Sequence, residues 1–221
     1  EIDAKAGTVS VWNNGKGVPV SIHKEHKVHV PELVFGHLLT SDNYNDGDCK
    51  VVGGRNGYGA KLANVFSLRF EVETCDGTKR YHQVFENNMS VKHRPTLAST
   101  REKSYTKVTF KPDLAKFGMR SLDDDIVALM TKRVYDVAGS TADHCMVYLN
   151  GDKLDVKNFR DYTDLYLLTR QGVPQIFQKC SDRWEVCLSL TEGGFQQVSF
   201  VNSINTIRGG THVTHVTDQI V

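Results

Sequence analysis

Apolar residues along the chain switch between a spacing of two and a spacing of three to four. Residues 8–12, Thr-Val-Ser-Val-Trp, alternate and predict a half-buried strand. Pro31 suits a first helical turn, and Leu33, Val34 and Leu38 follow it at helical spacing. A second helix begins near Gly59, with Leu62, Val65 and Phe66 on one face. Alternation over 68–74 and 79–86, on either side of Cys75-Asp76-Gly77-Thr78, predicts a hairpin. Residues 105–110 read as a further strand. Ser121 stands as N-cap before Asp123, Asp124 and Asp125, which suit the positive end of a helix. Ile126, Leu129, Met130, Val134 and Val137 form that helix's apolar stripe, and Gly139 ends it. Residues 145–149 and 153–156, joined by Asn150-Gly151, predict a second hairpin. Residues 1–157 therefore read as a sheet with helices packed against it, and a domain boundary is expected after 157. The stretch 158–221 offers strands at 184–190 and 195–202 joined through Glu192-Gly193-Gly194, then an Arg208-Gly209-Gly210 turn and a helix from about Thr211. Residues 90–104 are expected to form a mobile surface loop. The fold class is α+β.

Composition narrows the function without naming it. With 27 basic and 26 acidic residues the net charge is +1, which argues against this chain being a principal nucleic-acid grip. The five cysteines, at 49, 75, 145, 180 and 187, contain no C-x-x-C pair, so neither a disulfide framework nor a zinc site is indicated. No apolar run approaches the length of a membrane span, the first residues lack a signal-peptide layout, and no membrane association is expected.

The chemistry concentrates in two glycine-containing loops. Residues 53–62, Gly-Gly-Arg-Asn-Gly-Tyr-Gly-Ala-Lys-Leu, place four glycines, an arginine and a lysine just before a helical pattern. Glycine lets main-chain N–H groups approach an oxyanion closely, and a lysine adds a point charge, so the segment reads as a phosphate cradle. It is not a Walker A loop, because Ala60 and Lys61 stand where that motif needs lysine and Ser/Thr. It is not a dinucleotide fingerprint either, since Leu62 replaces the third glycine and a polar loop precedes it. A plain glycine turn remains the alternative. The second loop, Asn13-Asn14-Gly15-Lys16-Gly17-Val18-Pro19-Val20, leaves the first strand in a sharp turn that would aim the Asn13 amide into a cleft, where its oxygen could accept from an adenine amine. An ordinary Asn-Gly turn is the competing reading.

Together the two loops, about 40 residues apart, resemble the ATPase region of eukaryotic type IIA DNA topoisomerases. The resemblance extends through Leu38-Leu39-Thr40-Ser41-Asp42-Asn43-Tyr44, Asp125-Ile126-Val127-Ala128-Leu129-Met130, Arg183-Trp184-Glu185-Val186-Cys187 and the run from Gly194 to Ser203, nearly the whole chain. Asparagine at position 13, where bacterial gyrase-like relatives usually carry aspartate, points to the eukaryotic branch. The resemblance implies a gyrase-type ATPase sandwich, a mixed sheet with helices on one face, over 1–157, and the start of a ribosomal-protein-S5-like transducer domain over 158–221.

It also implies roles. Asn13 would face adenine, and Ser41, Asp42 and Asn43 would belong to a lid meeting ribose and phosphates. Relatives usually carry serine at Asp42, and a carboxylate beside phosphates would need a bridging cation or an outward rotamer. Gly54, Arg55, Asn56, Gly57, Tyr58, Gly59, Ala60 and Lys61 would wrap and neutralise the phosphates. These are binding residues; the general-base glutamate and an asparagine ligand for Mg²⁺ are expected upstream of Glu1, and a Gln-Thr-Lys loop beyond Val221. The 221 residues alone are accordingly expected to hydrolyse ATP feebly at most. The implied cofactors are ATP and Mg²⁺, the implied partners double-stranded DNA and a second copy, the implied location the nucleus. The alternatives are a chaperone or mismatch-repair type of gyrase-like ATPase, or a nucleotide-regulated interaction module without turnover.

Other constellations carry less. His23, His26 and His29, and again His212 and His215, recur at three-residue spacing without a second pair at zinc-site spacing, so no metal ligand is assigned. Asp123 to Asp125 fit helix capping better than cation binding. No nucleophile-elbow spacing links serine, histidine and aspartate, so no covalent catalysis is expected.

Overall fold

The computed structural model describes residues 1–38, 53–54, 56–141, 145–167 and 173–220. The chain divides into two compact units, one of 1–49 with 54–127, the other of 50–53 with 128–221.

The first unit is built on one sheet. Its strands are β1 (Ile2–Asp3), β2 (Thr8–Asn13), β3 (Ser67–Cys75), β4 (Lys79–Glu86), β5 (Val91–Lys92), β6 (Thr96–Ser99) and β7 (Tyr105–Pro112), with helices α1 (Val30–Gly36) and α2 (Gly59–Val65). The strand order is β1-β2-β7-β3-β4-β5, with β6 also on β4. The expected mixed sheet is antiparallel at every described pairing. Short connections impose this on β1–β2, β3–β4 and β4–β5, where no crossover is possible, while β2–β7 and β3–β7 are antiparallel across long connections.

Strand alternation sorts the two faces. Phe70 and Val72 of β3 and Phe85 of β4 point one way and meet Phe35 of α1, with Val18, Ala63, Val108 and Phe110 around them. The opposite face carries Arg69, Glu71, Glu86 and His82, paired at 2.6 Å (Arg69–Glu71), 2.7 Å (Arg69–Glu86) and 3.3 Å (His82–Glu71). One face is therefore the core and the other is polar, the usual economy of an antiparallel sheet. The β3–β4 turn is held by Asp76, whose carboxylate accepts from the main-chain N–H groups of Val20, Thr78 and Lys79 and from the Thr78 hydroxyl. The Thr78 hydroxyl above all, with those amides, holds the Asp76 carboxyl far below the usual carboxylate range.

Residues 90–104 hold β5 and β6 rather than only a mobile loop. Both strands are exposed, so no alternation betrays them; they form because the outer edge of β4 offers main-chain partners.

A long helix, α3 (Asp124–Thr141), runs from the first unit into the second. Its N-terminus is capped by Asp123, whose Oδ1 accepts from the Ile126 N–H at 3.0 Å, rather than by Ser121. It also continues past Gly139. A Cβ there would lie 2.4 Å from Cγ of Tyr162, so this glycine permits close packing of a neighbouring helix instead of stopping its own. The second unit contains the hairpin β8 (Tyr148–Leu149) and β9 (Asp152–Lys153), that neighbouring helix α4 (Phe159–Leu167), the hairpin β10 (Gln175–Ser181) and β11 (Trp184–Ser189), the hairpin β12 (Phe200–Val201) and β13 (Ile204–Asn205), and α5 (Thr211–Thr217). The strand expected over 195–202 shrinks to β12, and β11 pairs with the unanticipated β10.

The second unit is pinned by a buried polar knot. Tyr162 of α4 donates its hydroxyl to Asp136 of α3 at 2.6 Å and lies 2.9 Å from the Tyr166 hydroxyl, while Lys132 reaches the same carboxylate at 2.9 Å. Burial, then the Asp136 carboxylate, pushes the Tyr162 phenol far above its ordinary pKa.

Candidate functional site

Asn13 ends β2 opposite Thr106 of β7, which stands opposite Thr74 of β3. Side chains two apart share a face, so Asn13 and Val11 lie on the same face as Val9, whose row continues through Phe110 to the core residue Phe70. Asn13 therefore sits on the helix-bearing face. The helices do not cover this end of it: Val11 is 60% exposed. The Asn13 side-chain oxygen accepts from the Gly15 N–H at 3.1 Å, an Asx turn that leaves the second lone pair of an sp² oxygen for another donor.

From Gly54 on, the cradle belongs to the same unit, while Gly53 falls in the other. Gly54 and Asn56 are exposed, and Gly57 has φ +65°, a left-handed conformation that a β-branched residue adopts only at a cost. Tyr58, partly exposed, directly precedes α2, and Gly59 and Ala60 form its exposed start. A Cβ built on either Gly54 or Gly59 would meet nothing within 4 Å, so these two positions border open space. Arg55, and Ser41, Asp42 and Asn43 of the expected lid, lie outside the described residues.

Lys61 behaves differently from a surface lysine. It is 3% exposed, and its ammonium donates to the Gly57 carbonyl at 2.8 Å, tying the left-handed glycine to the first turn of the helix. Burial lowers its pKa from the ordinary lysine value. The helix face that was expected to be apolar is turned outward: Leu62 and Phe66 are exposed, and the side buried is the one bearing Lys61 and Asn64. The reason is a polar anchor that sequence reading missed. Asn64 is fully buried, and its Nδ2 donates to the Phe35 carbonyl at 3.0 Å, joining α2 to the end of α1. Its only signal was its place three residues after Lys61, on the same side of a helix.

The histidines serve local structure. Nδ1 of His23 accepts from the Glu25 and His26 N–H groups, both at 3.3 Å, which commits that lone pair to a turn. Nε2 of His212 sits 3.0 Å from the Thr206 hydroxyl and 3.1 Å from that of Ser199, bracing α5 against the preceding hairpin. Among the described residues no three His, Cys, Asp or Glu side chains gather as metal ligands, and no helix is long and apolar enough to cross a membrane.

Comparison with known proteins gives this geometry its context. Residues 146–221 match the DNA gyrase B family model. DNA topoisomerase 2 of Arabidopsis thaliana is 56% identical over 228 residues, covering 99% of this chain and 16% of the relative. DNA topoisomerase 2-alpha of Homo sapiens is 53% identical over 227 residues, covering 100% of this chain and 15% of the relative. The chain thus spans about one sixth of these curated relatives. Among solved structures, the ATPase region of Saccharomyces cerevisiae topoisomerase II superposes with a TM-score of 0.95 at 51% identity, over 99% of this chain and 58% of that one. The ATPase and transducer domains of DNA topoisomerase II from Balamuthia mandrillaris give 0.92 at 46% identity, over 99% and 56%. Likeness of this degree along the full chain assigns it to the eukaryotic type II DNA topoisomerases, within their ATPase region.

Proposed function

We propose that the first unit binds ATP. The adenine end lies near Asn13, and the triphosphate is held by main-chain amides between Gly54 and Gly59, with Arg55, Asn56, Tyr58, Ala60 and Lys61 around it. The observation that carries this reading is topological. Asn13 ends on the helix-bearing face of the sheet, beside an uncovered strip marked by exposed Val11, and the loop leading into α2, a helix of that face, borders open space at Gly54 and Gly59. Neutral amides and one buried ammonium suit a highly charged anion better than a neutral ligand. Ser41, Asp42 and Asn43 complete the reading as lid residues. Mg²⁺ would arrive with the phosphates and shield their charge, with its protein ligand upstream.

In the whole enzyme, ATP binding and hydrolysis at this site drive dimerisation of two copies at the N-gate and passage of one DNA duplex through a break in another, in the nucleus. The division at 157/158 into an ATP-binding domain and the start of a transducer belongs to the same proposal. The test is direct: in the intact enzyme Lys61→Ala and Gly57→Val each abolish nucleotide binding and leave the circular dichroism spectrum unchanged. Unaltered nucleotide affinity in both variants refutes it.

A further inference from the structure

The sheet of the first unit has an unclosed edge at β6. Strand β6 pairs with β4 through Lys79–Ser99, Arg80–Ala98, Tyr81–Leu97 and His82–Thr96. The Thr100 N–H bonds to the Thr78 carbonyl, which fixes the phase of the ladder. Antiparallel pairs alternate between bonded and unbonded, so Ala98 and Thr96 face β4 and the main chains of Leu97 and Ser99 face outward. No partner for them occurs among the described residues. Two N–H groups and two carbonyls therefore stand in the spacing that an added strand requires.

Beside that edge lies a groove of about 300 Å³, lined by Ile22, His29, Lys79, Leu97 and Ser99 among others. Ile22 is 61% and Leu97 46% exposed, two aliphatic side chains lining one depression. The segment bearing Ile22 and His29 is closed on itself by a bridge between those two residues, so the groove wall is built. The surroundings are cationic. Residues 20–29, 76–79 and 96–103 hold five lysines and arginines (Lys24, Lys27, Lys79, Arg101, Lys103) against three carboxylates (Glu25, Asp76, Glu102), an excess of two where the whole chain carries +1. One of the three carboxylates, Asp76, is already occupied by its turn.

We propose that this edge receives an extended, acidic segment of a partner protein. The segment adds as a strand beside β6, seats an aliphatic side chain between Ile22 and Leu97, and lays its carboxylates along Lys79 and the lysines of the 22–29 loop. Outward carbonyls at Leu97 and Ser99 select a peptide, which has N–H groups to offer, over a nucleic-acid backbone, which has only acceptors. The site is independent of the nucleotide site, and its residues are outside that machinery.

The experiment measures fluorescence polarisation of a labelled nine-residue peptide, Val-Thr-Val flanked by Asp and Glu, against the intact enzyme. Binding is expected, weakened at least tenfold by N-methylation of the central residues and at least tenfold by Ser99→Pro, which removes an outward N–H without touching the β4 ladder. Lys79→Glu weakens it at least fivefold, and ATP turnover by Ser99→Pro is unchanged. A peptide of the same pattern with Lys and Arg flanks does not bind. Absence of binding by the acidic peptide, equal binding of its N-methylated form, or its displacement by a 20-base-pair duplex overturns the proposal; the N-methylated peptide decides the matter even if the proline variant misfolds.

Discussion

Gly59→Ala separates a phosphate cradle from a bland turn, because the two readings predict opposite outcomes. The residue is exposed, begins α2, has no positive φ, and would place its Cβ in open space. Nothing in the protein resists the methyl group. Alanine is also the better helix former, so stability should hold or rise by roughly 0.5–1 kcal/mol. If a phosphate oxygen occupies that open space, the methyl group keeps it from the main-chain amides. A hydrogen bond to a charged group is worth about 1.5–3 kcal/mol, and each 1.4 kcal/mol is a factor of about ten, so ATP affinity should fall roughly 10- to 150-fold. Titration calorimetry with a non-hydrolysable ATP analogue and thermal unfolding of the same preparation of intact enzyme supply both numbers. A variant equally stable or more stable that binds nucleotide as tightly as the parent would sink the cradle assignment.

Three further outcomes follow from the same geometry. Asp76 has a carboxyl pKa held below its unfolded value, so its contribution is present above about pH 4 and is lost as pH falls toward the folded value. Asp76→Asn should flatten the acid limb of a urea-stability profile, and a parallel profile would contradict this. Gly139→Ala gains about 1 kcal/mol in helix propensity but puts a Cβ 2.4 Å from the Tyr162 ring. Overpacking of about 1–3 kcal/mol should win, lowering the urea midpoint, and a raised midpoint would refute the close packing. Lys61 has a pKa depressed by burial, so nucleotide affinity should begin to fall with rising pH below the ordinary lysine range of about 10.4; calorimetry between pH 7 and 10 should find this loss in the parent and not in Lys61→Arg.

What could be read from the sequence depended on how local its cause was. The β3–β4 hairpin was legible because its signals are neighbours: alternation on both sides and an Asp-Gly turn whose carboxylate is satisfied within three residues, apart from one amide of Val20. Strand β10 was not, since it is exposed nearly throughout and alternation has nothing to report when neither face is buried. Gly139 misled for a related reason. A glycine late in a helical pattern has two uses, termination and close approach, and only the position of Tyr162, 23 residues on, chooses between them.

The candidate site divides along the same line. Its glycines announced themselves, because an anion grip made of main-chain amides must be written in the residues that free the main chain. Its side chains did not. Lys61 read only as a point charge and is buried, because Asn64, one turn on, bonds to the Phe35 carbonyl and rolls that side of α2 inward, exposing Leu62 and Phe66 instead. The roll carries the Lys61 amine back onto the Gly57 carbonyl, and so couples the left-handed Gly57 to the packing of two helices. Asn64→Ala removes the polar anchor without adding a large apolar side chain to the side now buried, and is the substitution under which α2 should turn to bury its apolar face. Lys61 would then become solvent-exposed and its depressed pKa would return toward the ordinary value. Nitrogen chemical shifts of the Lys61 side chain across a pH titration would register that return, and an unmoved titration in Asn64→Ala would show that something other than this anchor sets the helix face.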